Sequence, residues 1–78
     1  MQLTYDPRYN IAYLRLREKT AEVETLRISD SLNVDIAPDG TVYGIELLNA
    51  NEQLLGVEGR AFEVINEASQ QRHTVSLA

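Results

Sequence analysis

The stretch Leu32-Asn33-Val34-Asp35-Ile36-Ala37-Pro38-Asp39-Gly40-Thr41-Val42-Tyr43-Gly44-Ile45-Glu46-Leu47-Leu48 decides how this chain folds. Leu32, Val34 and Ile36 alternate with Asn33 and Asp35, the period-two pattern of a strand with one apolar face. Ala37-Pro38-Asp39-Gly40 then breaks the pattern. Proline has the fixed φ that suits the first turn position, and Gly40 tolerates the left-handed conformation that closes a hairpin with a bulge. Positive φ is therefore predicted at Gly40. Val42 to Leu48 forms the returning strand, with Val42 on one face and Tyr43, Ile45 and Leu47 on the other. Apolar residues on both faces predict cover on two sides, one of them a subunit interface.

Upstream, Leu3 and Tyr5 alternate with polar neighbours up to Asp6-Pro7, where a turn is predicted. Ile11 to Arg17 places Ala12, Leu14 and Leu16 on one face and Tyr13, Arg15 and Arg17 on the other. A loop over 18–21 would set Arg17 against Glu22, Arg15 against Glu24 and Leu16 against Val23, satisfying both faces in one register. These charges are read as surface pairs that set register, rather than as a binding site. Val23 to Ile28 is the third strand, and Ser29-Asp30-Ser31 is a polar turn.

Downstream, Asn49 is placed to cap a helix starting at Ala50, with Glu52 completing a capping box and Gly56 ending it. The segment 60–66 has the length of either a short helix or a strand, and Phe62, Val64 and Ile65 favour the strand. A loop over 67–70 then pairs Val64 with His73 and Phe62 with Val75, and leaves Leu77 near Arg60. The predicted fold is mainly β, a β-rich α+β chain. It is an antiparallel meander of about five short strands, with one short helix near residues 50–55 and a C-terminal β-hairpin.

At 78 residues the chain holds one domain and one thin core. Small domains are usually reinforced by disulfides, metals or a partner. There is no cysteine, which removes disulfides and thiolate chemistry and fits a reducing cytoplasm, so oligomerisation, most simply a homodimer, is the reinforcement left. The start Met1-Gln2-Leu3-Thr4-Tyr5 resembles no secretory leader, and no run approaches the roughly eighteen apolar residues of a membrane span. A cytoplasmic protein without a membrane role is expected. Net charge is −5, unevenly placed: residues 1–27 carry +1 and residues 28–78 carry −6. That acidity disfavours nucleic acid, which needs clustered Lys and Arg, and leaves open a basic protein as partner.

Chemistry-bearing constellations are missing. Asp6, Asp30 and Asp39 are turn residues. Asp35 and Glu46 each interrupt an apolar strand, and a bond to a tyrosine hydroxyl or an arginine accounts for them as well as an acid–base role does. His73 has no second imidazole or thiol beside it to build a metal site. Ser29, Ser31, Ser69 and Ser76 lack the flanking glycines of a nucleophile elbow, and the four glycines form no phosphate-binding spacing. Tyr5, Tyr9, Tyr13 and Tyr43 read as core or interface tyrosines, with buried rings and wet hydroxyls. No catalytic residue, cofactor site or metal site is assigned.

Tyr5-Asp6-Pro7, Ala12-Tyr13-Leu14-Arg15-Leu16, Asn33-Val34-Asp35, Asp39-Gly40 and Gly44-Ile45-Glu46-Leu47-Leu48-Asn49-Ala50, in that order and spacing, resemble the small bacterial domain-of-unknown-function family 2283. Tyr9-Asn10 stands where that family more often has Ala-Asp. The resemblance implies a fold and a bacterial setting, and no activity. Three functions stay open at this point. They are a non-enzymatic self-associating or protein-binding module, an acidic antitoxin-like neutraliser of a basic protein, and a ligand receptor or enzyme centred on Asp35, Glu46 and the tyrosines.

Overall fold

The computed structural model describes residues 1–18, 22–55 and 61–77, with Leu55 described by its backbone alone. Five strands, β1 (Gln2–Asp6), β2 (Ile11–Arg15), β3 (Glu24–Ser29), β4 (Leu32–Ile36) and β5 (Val42–Leu48), form one antiparallel sheet in the order β1-β2-β5-β4-β3. One helical turn of π type follows at Asn51–Leu55. A separate two-stranded hairpin joins β6 (Ala61–Asn66) to β7 (Gln71–Ser76). The chain is mainly β, as its alternation predicts.

The β4–β5 hairpin forms for the reasons its sequence states. Gly40 has φ 92, its N–H donates to the Ala37 carbonyl at 2.9 Å, and the Ala37 N–H donates to the Thr41 carbonyl at 2.9 Å. Asp39 Oδ1 accepts the Thr41 N–H at 2.9 Å, so an Asx-type bond braces the same turn. The turn inserts a bulge between Asp35 and Ile36 that sets Ile36 opposite Val42. In the β1–β2 turn Asp6 accepts both the backbone N–H and the guanidinium of Arg8. That guanidinium holds the Asp6 carboxyl below its ordinary value. The C-terminal hairpin has the predicted register, with Phe62 opposite Val75 and Val64 opposite His73.

Two expectations are corrected. The pairing of Arg15 with Glu24 and Leu16 with Val23 does not occur, because β2 lies between β1 and β5 and β3 pairs only with β4. Arg15 stands opposite Gln2 and Gly44, while Glu24 stands opposite Ile36. A cross-strand charge pair contributes about 0.2–1 kcal/mol. Pairing β2 with β5 instead sets Ala12 beside Leu47 and Leu14 beside Ile45, which makes one continuous apolar face.

The second correction concerns the helix cap. Asn49 has φ 55; its carbonyl accepts the Glu52 and Gln53 N–H groups at 3.2 and 3.1 Å, but its side chain turns toward Ser31 and does not cap. Asn10, from the β1–β2 turn, does so: its Oδ1 accepts the Asn51 N–H at 2.5 Å and its carbonyl accepts the Ala50 N–H at 3.0 Å. Its Nδ2 donates to Glu52 Oε2 at 3.1 Å. The predicted roles of Gly56 and Arg60 and most of the 18–21 loop lie outside the described residues.

The buried apolar residues are Ala12, Ala37, Tyr43 and Ala50, and no large side chain is fully buried among the described residues. A single sheet has one face that needs cover, and here that cover is incomplete.

Candidate functional site

The polar face of the sheet gathers Asp35 and Glu46. Register places Glu46 between Tyr13 and Asn33, and Asp35 beside Gly44 and Thr25, so both acids share one face. Asp35 is 7% exposed. Its Oδ2 accepts the Tyr13 hydroxyl at 2.7 Å and its Oδ1 accepts the Thr25 hydroxyl at 2.6 Å. Glu46 Oε1 accepts Asn33 Nδ2 at 3.0 Å.

Gly44 makes the Tyr13–Asp35 bond possible, because a Cβ at that position would overlap the Tyr13 hydroxyl and ring. The Tyr13 phenol therefore crosses β5 to reach β4, and one chain of contacts ties β2, β5, β4 and β3 together. Cover on the Gly44 side of β5 thus comes from within the chain.

Tyr13, Thr25, Asp35 and Glu46 line a shallow depression of about 420 Å³. Its buried carboxylate is engaged by hydroxyl donors, and no buried side-chain polar atom among the described residues lacks a partner. The bonds of Asp35 link β4 to β2 and β3, and that of Glu46 links β5 to β4.

The opposite face carries Leu3, Leu14, Ile45, Leu47, Leu32 and Val34 in adjacent register, all only half-buried. Leu3, Leu14, Ile45 and Leu47 form the floor of an open groove of about 570 Å³, with Leu54 at one end and Phe62 and Val64 as a wall. Tyr5 fastens this end of the sheet, its hydroxyl donating to Asn51 Oδ1 at 2.5 Å. That bond positions the helical turn that presents Leu54.

The remaining sequence candidates are scattered. His73 and Ser76 lie on β7, every residue of which is exposed. Ser29 caps the β3–β4 turn through the Ser31 N–H, and Ser69 does the same for Gln71. Tyr43 is 8% exposed beneath the Arg17 guanidinium, whereas Tyr9 is 72% exposed and so departs from the predicted buried ring. No group of three or more His, Cys, Asp or Glu among the described residues could hold a metal. No helix among them is long and apolar enough to cross a membrane.

The residue of this site that sequence reasoning missed is Gly44. The signal available was a glycine inside a largely apolar strand, which marks close approach by another group.

A family model described as "Protein of unknown function (DUF2283)" matches residues 2–51, the whole five-stranded sheet and the start of the helical turn. No curated protein and no solved structure matches the chain.

Proposed function

The chain belongs to the DUF2283 family, whose description names no activity, and we propose that it is a non-enzymatic self-associating module whose working surface is the apolar face of its sheet. The observation that carries this reading is a surplus of exposed surface. A folded monomer of 8.8 kDa exposes about 4,800 Å² by the usual size scaling, whereas this chain exposes 6010 Å². The surplus is about 1,200 Å² per chain, or about 2,400 Å² for a pair, within the range of obligate homodimers. The composition of the open face supports the same reading, since its half-buried residues are leucine, isoleucine and valine. A chain without cysteine has no disulfide to supply the missing stability.

Light scattering across micromolar to nanomolar concentrations tests this. The expected result is twice the 8.8 kDa chain mass, with a Tm that rises with protein concentration. A folded monomer with a concentration-independent Tm would refute it.

A further inference from the structure

The β6–β7 hairpin is a two-stranded sheet of its own that meets the five-stranded sheet where Phe62 and Val64 line one side of the groove. All of its strand residues are exposed, yet Phe62, Val64 and Val75, at 42%, 50% and 51% exposure, share one face with His73. An isolated two-stranded hairpin is marginally stable in water and needs something against its apolar face. Its own sheet does not provide that, because Phe62 and Val64 form only one wall of a groove that remains open.

From these facts, and resting on the self-association reading above, we infer that the groove of each chain receives the β6–β7 hairpin of a second copy. The exchange is reciprocal about a two-fold axis.

Three arguments select this occupant. First, a two-fold contact must use one patch on both partners, and a patch made of floor and wall becomes self-complementary when each wall enters the other groove. Second, charge permits it. Two chains of net charge −5 repel as they approach, but the groove lining carries no charged side chain, so no like charges are brought into contact there. Third, the area matches. The surplus surface of the chain has the size that a stable pair buries, and covering floor and hairpin together draws in Met1, Phe62, Val64 and Val75, which are otherwise exposed.

The absence of native cysteine makes the test clean. Leu47→Cys in one chain and Val64→Cys in a second, differently tagged chain are co-expressed, then oxidised mildly. Leu14→Cys serves as an alternative floor position if Leu47→Cys disturbs folding. The control floor is Glu46→Cys on the opposite face.

A covalent heterodimer between the Leu47→Cys and Val64→Cys chains, at least several-fold above the Glu46→Cys control, is expected. A chain carrying both Leu47→Cys and Val64→Cys should cross-link mainly between molecules at micromolar concentration. If light scattering shows a dimer but the double variant closes only within itself, the hairpin exchange is overturned while self-association stands. If the protein is a folded monomer, both readings fall.

Discussion

Gly44→Ala is the most discriminating single perturbation of this fold. In most strands this change is favourable, since glycine inside a strand is about 0.5–1 kcal/mol worse than alanine. Gly44 has no positive φ that would oppose the methyl group. The obstacle is the Tyr13 phenol, which occupies the space a Cβ would take. Moving the phenol aside costs about 1–3 kcal/mol of overpacking strain. It also breaks the 2.7 Å bond to a carboxylate that is 7% exposed, for about another 1.5–3 kcal/mol. After the propensity gain, a net loss of about 1.5–5.5 kcal/mol follows.

The same substitution in a Tyr13→Ala background should be neutral or stabilising by up to about 1 kcal/mol, because the obstacle is gone. Urea denaturation of the four-member cycle, at one fixed protein concentration, measures this coupling directly. An equal effect of Gly44→Ala in both backgrounds, or none in the wild type, would refute the argument that Tyr13 lies across Gly44.

Two further outcomes test the β4–β5 hairpin. With φ 92 and nothing within 4 Å of where a Cβ would sit, substitution at Gly40 meets conformational strain alone. Gly40→Val should therefore cost more than Gly40→Asn, by up to about 1–2 kcal/mol, with Thr41→Val nearly neutral; equal urea midpoints for Gly40→Val and wild type would count against the turn. The hydrogen bonds from the Thr41 hydroxyl and Thr41 N–H hold the Asp39 carboxyl below its ordinary 3.8. A depressed folded value stabilises the protein fully above 3.8 and loses that contribution as pH falls through the lowered value, so Asp39→Ala should flatten the acid limb of stability against pH. An unchanged limb would remove Asp39 from the account.

The parts of this fold that were legible from the residues are those decided locally. Pro38-Asp39-Gly40 specifies its own turn, and the alternation of Phe62 and Val64 against His73 and Val75 leaves one register for the last hairpin. Strand content follows from period-two patterning alone. The neighbour of β2 was not legible, because Arg15 and Arg17 find plausible local partners in Glu24 and Glu22 while the actual neighbour, β5, lies about thirty residues downstream. No short-range rule ranks a distant apolar alignment against a nearby charge match. The cap was missed for the same reason: Asn10 acts across 41 positions on Asn51, while Asn49 has the sequence position of a cap but turns toward Ser31.

Within the candidate site, Asp35 and Glu46 read alike as carboxylates that a tyrosine hydroxyl or an arginine could satisfy; Tyr13 does so for Asp35, whereas Glu46 is bonded by Asn33. Which tyrosine, and the glycine that lets it pass, depend on the β2–β5 pairing and so stayed hidden with it. The open groove was visible only as a thin core and a missing disulfide.

The strand order β1-β2-β5-β4-β3 carries a kinetic consequence. Each of the pairs β1–β2, β3–β4 and β4–β5 closes over a short connection, whereas β2 and β5 meet only after the whole of β3 and β4 has intervened. Loop-closure entropy grows with the logarithm of length, and non-local pairing slows folding. The chain is therefore expected to assemble as two locally formed ribbons, β1–β2 and β3–β4–β5, that join late along a single line. The Tyr13 phenol crosses that line over Gly44, so the latch between the ribbons engages at the last step of sheet formation. Until then neither ribbon presents a complete groove floor, since Leu3 and Leu14 belong to one and Ile45 and Leu47 to the other.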